Sequence, residues 1–150
     1  MPKFSLTVET TSNSTAGAAG TSAAIQTLMP AARNSRLLGV LLHSPTSHPT
    51  DLGRWVIDRI TAVSAGSALT PLEMDGGGAA SAISNTTQSI STTLACANTN
   101  GEAAIVDCMP GWNDFSHLNI MSGIAQGFAL RRATAPSGAR VVVATMIWEE

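Results

Sequence analysis

Arg140 to Trp148 reads RVVVATMIW, and this stretch decides the fold. Val141, Val143, Thr145 and Ile147 share one side of an extended chain, because successive side chains of a strand point to opposite faces. β-branched residues dominate it, so it reads as a strand. The same grammar opens the chain, where Phe4, Leu6 and Val8 alternate with Ser5, Thr7 and Glu9.

Working inward, Ala24–Met29 is a short apolar run closed by Pro30. Arg36 to His43 (RLLGVLLH) is almost continuously apolar and bounded by Ser35 and by Ser44-Pro45, which predicts a fully buried strand, with a helix as the alternative. In WVIDRITAV (Trp55 to Val63), Trp55, Ile57, Arg59 and Thr61 take one face and Val56, Asp58, Ile60 and Ala62 the other. Thr70-Pro71-Leu72 is a short extended piece, and Asp75-Gly76-Gly77-Gly78 breaks the chain. Alternation returns at Ile90, Thr92, Leu94 and Cys96, and again at Ala104, Val106 and Cys108. Leu118, Ile120 and Ser122 form a weaker strand, and Phe128 to Arg132 a short one. Turn residues separate these pieces at Ser44–Asp51, Asn98–Gly101, Pro110-Gly111 and Pro136-Ser137-Gly138. Thr10 to Ser22, rich in Ser, Thr, Ala and Gly, reads as a low-complexity arm or loop of the same domain.

The result is a single all-β domain over residues 1–150. It is an antiparallel β-sandwich of about eight to ten strands, jelly-roll-like because of its long connections and its terminal strand at each end. The Cys…Trp…Cys spacing of an immunoglobulin sandwich is missing.

Composition bounds the function. Only 12% of the 150 residues are charged, about half the roughly 25% of an ordinary soluble domain. Net charge is −2, with seven arginines and one lysine scattered along the chain, so no nucleic-acid footprint is expected. Aromatics are 4% and Tyr is absent, which argues against a stacking platform for single strands. No apolar run reaches the roughly 20 residues of a membrane helix. The opening MPKFSLTVETT alternates, unlike a secretory signal. A surface of small neutral side chains suits a chain that neighbours cover.

Catalytic patterns are missing. His43, His48, His117, Cys96 and Cys108 show no metal-ligand spacing, so no metal and no cofactor are expected. There is no GxSxG elbow. Glu73 with Asp75, or Glu102 with Asp107, imitates a glycosidase dyad only weakly. Asp75–Gly78 lacks the GK[ST] ending of a phosphate loop. The sequons at Asn13 and Asn85 are ordinary in a Ser/Thr-rich chain. Cys96 and Cys108 read as buried thiols on neighbouring strands, with a disulfide as the alternative if their Cα atoms come within about 7 Å. No residue is assigned a catalytic role, and the chain reads as a non-enzyme. Two segments are candidate interfaces. One is Met1, Pro2, Lys3 and Phe4, either a free arm or the start of an edge strand. The other is Trp112, Asn113, Asp114 and Phe115, either a loop plugging the sandwich end or an exposed anchor.

Several pieces together resemble the jelly-roll capsid decoration, or cement, proteins of tailed bacteriophages. They are Phe4–Glu9, Leu69-Thr70-Pro71-Leu72, Asp75-Gly76-Gly77-Gly78-Ala79-Ala80, Asn85-Thr86-Thr87-Gln88, Pro136 to Val143, and the closing Ile147-Trp148-Glu149-Glu150. Their order and spacing match over most of the chain from Arg36 onward; the Thr10–Ser22 arm and the Trp112–His117 loop lie outside the pattern. The resemblance implies a virion structural protein, made in the host cytoplasm and located on the outer capsid surface. It would stabilise contacts between major capsid protein subunits as a homotrimer, with a homodimer as the alternative, touching neither nucleic acid nor membrane. The alternative function is a glycan- or receptor-binding jelly-roll module of a virion fibre or tail.

Overall fold

Alternation of apolar and small polar side chains forces the chain into strands whose apolar faces must meet. The computed structural model describes residues 1–9, 25–28, 34–45, 52–62, 66–78, 81, 85–89, 95–96, 104–122, 126–134 and 141–150. Among them are thirteen strands: β1 (Lys3–Glu9), β2 (Ile25–Leu28), β3 (Ser35–His43), β4 (Arg54–Ala62), β5 (Gly66–Ala68), β6 (Leu72–Glu73), β7 (Asn85–Ser89), β8 (Ala95–Cys96), β9 (Ala104–Cys108), β10 (Gly111–Asp114), β11 (Met121–Ser122), β12 (Gly127–Thr134) and β13 (Val143–Glu149). All pairings are antiparallel. The Thr10–Ser22 arm, the alternation at Ile90–Leu94 and the Pro136–Gly138 turn lie outside the described residues.

Two sheets form. One runs β10-β3-β13-β1-β6, with β11 also on β3; the other runs β5-β7-β2-β12-β4-β8, with β9 also on β4. Taking β1, β2, β3, β4, β9, β10, β12 and β13 as strands one to eight, the sheet orders are 1-8-3-6 and 2-7-4-5. That is the strand order of a jelly roll. The long connection between β4 and β9 carries β5 to β8, and it adds β6 beside β1 and β7 beside β2.

The core lies between the sheets. Phe4, Leu6, Val8, Ala144, Met146 and Trp148 face Ile25, Trp55, Ile57, Phe128 and Leu130. Phe4 and Trp148, paired across β1 and β13, stack with ring centroids 6.1 Å apart. The Trp55 indole donates to the Leu52 carbonyl at 2.9 Å, and Arg132, opposite Trp55 in register, lies with its guanidinium 5.7 Å from the ring centroid.

Several expectations are corrected. Strand β3 is not buried on both faces: Leu37, Val40 and Leu42 are buried, whereas Leu38 and Leu41 are half-buried and His43 is exposed. Its register to β13 shifts between Ile147 and Trp148, where Leu38 is the extra residue of a bulge. The Leu118–Ser122 strand shrinks to β11, because Ser116–Leu118 forms a 3-10 turn that ends at Asn119 in the left-handed region (φ 50°). Cys96 pairs with Ile60 and Cys108 with Trp55. Five residue steps along β4 separate these partners, a span of about 16 Å, well beyond disulfide reach. Cys108 is free and buried, and burial first, then the Asp107 charge, pushes its thiol up to about 12.

Strand β4 departs from the usual half-buried pattern. Val56, Asp58 and Ile60 share a face with Ala129 and Arg131 of β12, opposite the sandwich core, yet all five are buried within the monomer. In this second buried layer Arg131 donates to Asp58 through Nε (2.6 Å) and Nη2 (3.3 Å).

Removing one member of a buried ion pair leaves the other charge without compensation. Asp58→Ala is expected to lower unfolding free energy by about 3–5 kcal/mol in urea titrations, and the double variant Asp58→Leu/Arg131→Met by much less. The raised Cys108 pKa keeps its thiol neutral up to strongly alkaline pH. Peptide mapping after iodoacetamide treatment at about pH 8 is expected to find Cys108 modified only when urea is present.

Candidate interaction face

The six-stranded sheet presents one face to the core and one outward. Register fixes the outward rows: Lys3–Glu149–Arg36, then Ser5–Ile147–Gly39, then Thr7–Thr145–Leu41, then Glu9–Val143–His43. Trp112 of β10 extends the third row and Leu72 of β6 the second. On β1, β3 and β13 the middle rows are neutral, and Asp114 of β10, opposite Gly39, puts one charge at the end of the second row. Thr7 and Thr145 share a hydroxyl hydrogen bond of 2.8 Å across the strands. Charges stand only at the ends of β1, β3 and β13 and on Asp114 at the β10 edge. At one end Arg36 pairs with Glu149.

The two candidate interface segments lie at opposite corners of this face, and only part of each is outward. Met1 is 81% exposed and the Lys3 side chain is outward, but Phe4 is a core residue. The opening residues are no free arm. Lys3 N–H donates to Asp75 Oδ2 (2.8 Å), Met74 N–H to the Lys3 carbonyl (2.8 Å), and Glu150 N–H to the Pro2 carbonyl (3.1 Å). Strand β1 is flanked there by both β13 and β6.

At the other corner, Trp112–Asp114 is strand rather than turn. Trp112 is 54% exposed, Asp114 is exposed, and Asn113 and Phe115 are buried. Only Met109-Pro110 separates β9 in one sheet from β10 in the other. The Asn113 side chain holds this corner closed. Its Oδ1 accepts from Met109 N–H (2.7 Å), and its Nδ2 lies within hydrogen-bond reach of the carbonyls of Met109 (2.7 Å), Gly111 (3.2 Å) and Val40 (3.2 Å). Gly111 takes φ 91°, which favours glycine. Trp112 lies over Gly39. A Cβ at Gly39 would stand 2.2 Å from the indole and 2.7 Å from the Asn113 carbonyl, so only glycine admits this arrangement. Asp114 accepts from Ser116 N–H at 2.9 Å, and its hydrogen bonds with Ser116 hold its carboxyl below its ordinary pKa.

Exposed large apolar side chains are distributed unevenly. Met109 (68% exposed), Trp112, Leu118 and Met121 line the β10–β11 edge; Leu72 (70% exposed), Met74 and Met1 line the β6 edge. These seven are all the exposed large apolar residues among those described. Four inter-strand steps, about 19 Å, separate the two edges. Sequence reading missed this grouping, because Met74, Met109 and Met121 carry no motif and become neighbours only through strand order.

Among the described residues, those weighed for chemistry do not converge. Asp75 is bonded to Lys3 N–H, and Asp107 pairs with Arg54 at 2.9 Å. Among the described residues no group of three His, Cys, Asp or Glu side chains is placed to hold a metal ion. His48 and Glu102 lie outside the described residues, and His43 and His117 are exposed. No described helix is long and apolar enough to cross a membrane.

Asn113→Leu keeps the size of the side chain but strips the corner of its donors and acceptor. It is expected to cost about 1–3 kcal/mol by differential scanning calorimetry and to shift Trp fluorescence as Trp112 loses its seat.

Comparison of the chain with family models, with curated proteins and with solved structures found no match.

Proposed function

We propose that this protein is a capsid decoration, or cement, protein of a tailed bacteriophage. It is a non-catalytic virion component that binds the outer head surface and stabilises contacts between major capsid protein subunits. The observation that supports this reading best is the placement of the exposed apolar residues on two opposite edges of one sheet. A tile with a sticky strip along each side is built to touch two neighbours at once. On an icosahedral shell the same pair of sites recurs many times. The second contact then forms at high effective concentration, so each contact alone can be weak. Few charges are needed for such a role, and 12% is a low share.

The test mixes purified protein with expanded heads that lack it. Cosedimentation and a higher head-disruption temperature are expected. Met109→Glu/Leu118→Lys on one edge, or Leu72→Glu/Met74→Lys on the other, should each lower retention at least tenfold, because losing one strip removes the multivalent gain. Heads that neither bind the protein nor gain heat resistance overturn the reading. One observation favours the alternative, a glycan- or receptor-binding module: the half-exposed Trp112 indole shares its face with Asp114. Saturable quenching of Trp112 fluorescence by a glycan, without head binding, would select it.

A further inference from the structure

We infer that the open edge of β10 binds an extended segment of another protein, one that carries an arginine opposite Asp114 and an apolar residue opposite Trp112. Among the described residues β10 pairs only with β3 and ends its sheet. The Phe115 N–H donates to the Leu38 carbonyl at 2.8 Å. Along an antiparallel strand, successive residues turn their backbone groups to opposite sides. Phe115 and Asn113 therefore spend theirs on β3, and Trp112 and Asp114 turn theirs to the open side. A strand added antiparallel, as β10 itself pairs with β3, meets one N–H and one C=O at each of these two residues. Its side chains opposite them emerge on the same outward face.

Trp112 and Asp114 select what those side chains are. The Trp112 ring rests on Gly39 on one side, and at 54% exposure its other side meets solvent. The indole N–H groups of Trp55 and Trp148 are taken by Leu52 and Glu150, whereas that of Trp112 has no acceptor among the described residues. Asp114 is exposed and has no ion pair among the described residues. It accepts the N–H and the hydroxyl of Ser116, which favours its ionised form. A carboxylate has about four acceptor positions, so it still has room for a guanidinium. The neighbouring charges leave this anion in place. His117 also favours ionised Asp114. Arg36 is paired with Glu149. Arg59 donates to the Met121 carbonyl at 2.8 Å. Met121 lies opposite Arg36, three residues along β3 from the Gly39 partner of Asp114, about 10 Å away. An arginine opposite Asp114 pairs with its carboxylate and stands diagonal to Trp112, within reach of the open ring face. An apolar residue opposite Trp112 covers the rest of the indole. A sugar can stack on the same ring but leaves the Trp112 and Asp114 backbone groups unused, so the open edge favours a protein strand.

The probe is the blocked peptide acetyl-TRTVT-amide, titrated into the isotope-labelled full chain at about pH 8, above the ordinary histidine range. Saturable binding with a dissociation constant below about 1 mM is expected. The amide resonances of Trp112 and Asp114 should move most, and the Trp112 fluorescence should shift. Citrulline in place of the peptide's arginine keeps the shape and removes the charge; it should weaken binding at least about fivefold, as should Asp114→Asn in the protein. Trp112→Leu should weaken it at least about threefold. N-methylation of the peptide's arginine and valine amides removes the donors aimed at β10 and should abolish binding. No saturation by about 5 mM, equal affinity for the citrulline peptide, indifference to N-methylation, or resonance changes centred away from β10 overturns the proposal. So does a chain that ignores the peptide but binds a neutral oligosaccharide saturably at Trp112. The inference concerns any protein that carries such a strand, and no head enters these measurements, so their failure is separable from that of the cosedimentation test.

Discussion

The pairing of β13 with β1 on one side and β3 on the other is the constraint on which the rest of the structure depends. It joins the two ends of the chain along seven residues, from Lys3↔Glu149 to Glu9↔Val143. It also fixes which side chains of β13 face inward. Ala144, Met146 and Trp148 enter the core, and Val143, Thr145 and Ile147 form the outer surface. A slip of one residue would exchange these sets and expose Trp148. The β3 bulge at Leu38 lets Leu37 and Val40 both point inward while Gly39 lies beneath Trp112. The terminal residues reinforce the same lock. The Trp148 indole donates to Glu150 Oε1 (3.0 Å), Ser81 bonds the same carboxylate, and Glu150 N–H bonds the Pro2 carbonyl.

A chain with so few charges places them with economy. Arg131 and Asp58 form a pair inside the second buried layer, Arg36 and Glu149 meet at one end of the outer face, and Arg54 and Asp107 join β4 to β9. The exposed pair contributes little to stability in water. The buried pair demands its partner, because either charge alone would sit in low dielectric. What remains outside is a sheet face with few charges, flanked by two apolar edges. Those edges are what support the decoration role proposed above.

Much of the architecture was legible in the sequence because a strand with one dry face writes its period into the residues. Phe4–Glu9, Trp55–Ala62, Ala104–Cys108 and the closing VATMIW all announce themselves by alternation or β-branching. Strand β10 did not, because four residues after Pro110-Gly111 are too short to show a period. Which residues of the two candidate segments are exposed was only half legible. Trp112 and Met1 are exposed, but Phe4, Asn113 and Phe115 point inward, and only cross-strand register reveals which neighbour of an exposed residue is buried. The second buried layer was also hidden, since Asp58 and Arg131 look like solvent-facing charges until β4 and β12 are paired.

By itself, then, the amino-acid order determined that this protein is a sandwich of antiparallel strands with a bland exterior, because period and composition are local properties that survive without contacts. Only the tertiary structure decided the 1-8-3-6 and 2-7-4-5 sheet orders, the burial of β4 on both faces, and the gathering of seven apolar side chains onto two edges. Those features arise from pairings between residues as far apart as Lys3 and Glu149. Such pairings are chosen by the collective burial of the core, which no short stretch of sequence encodes.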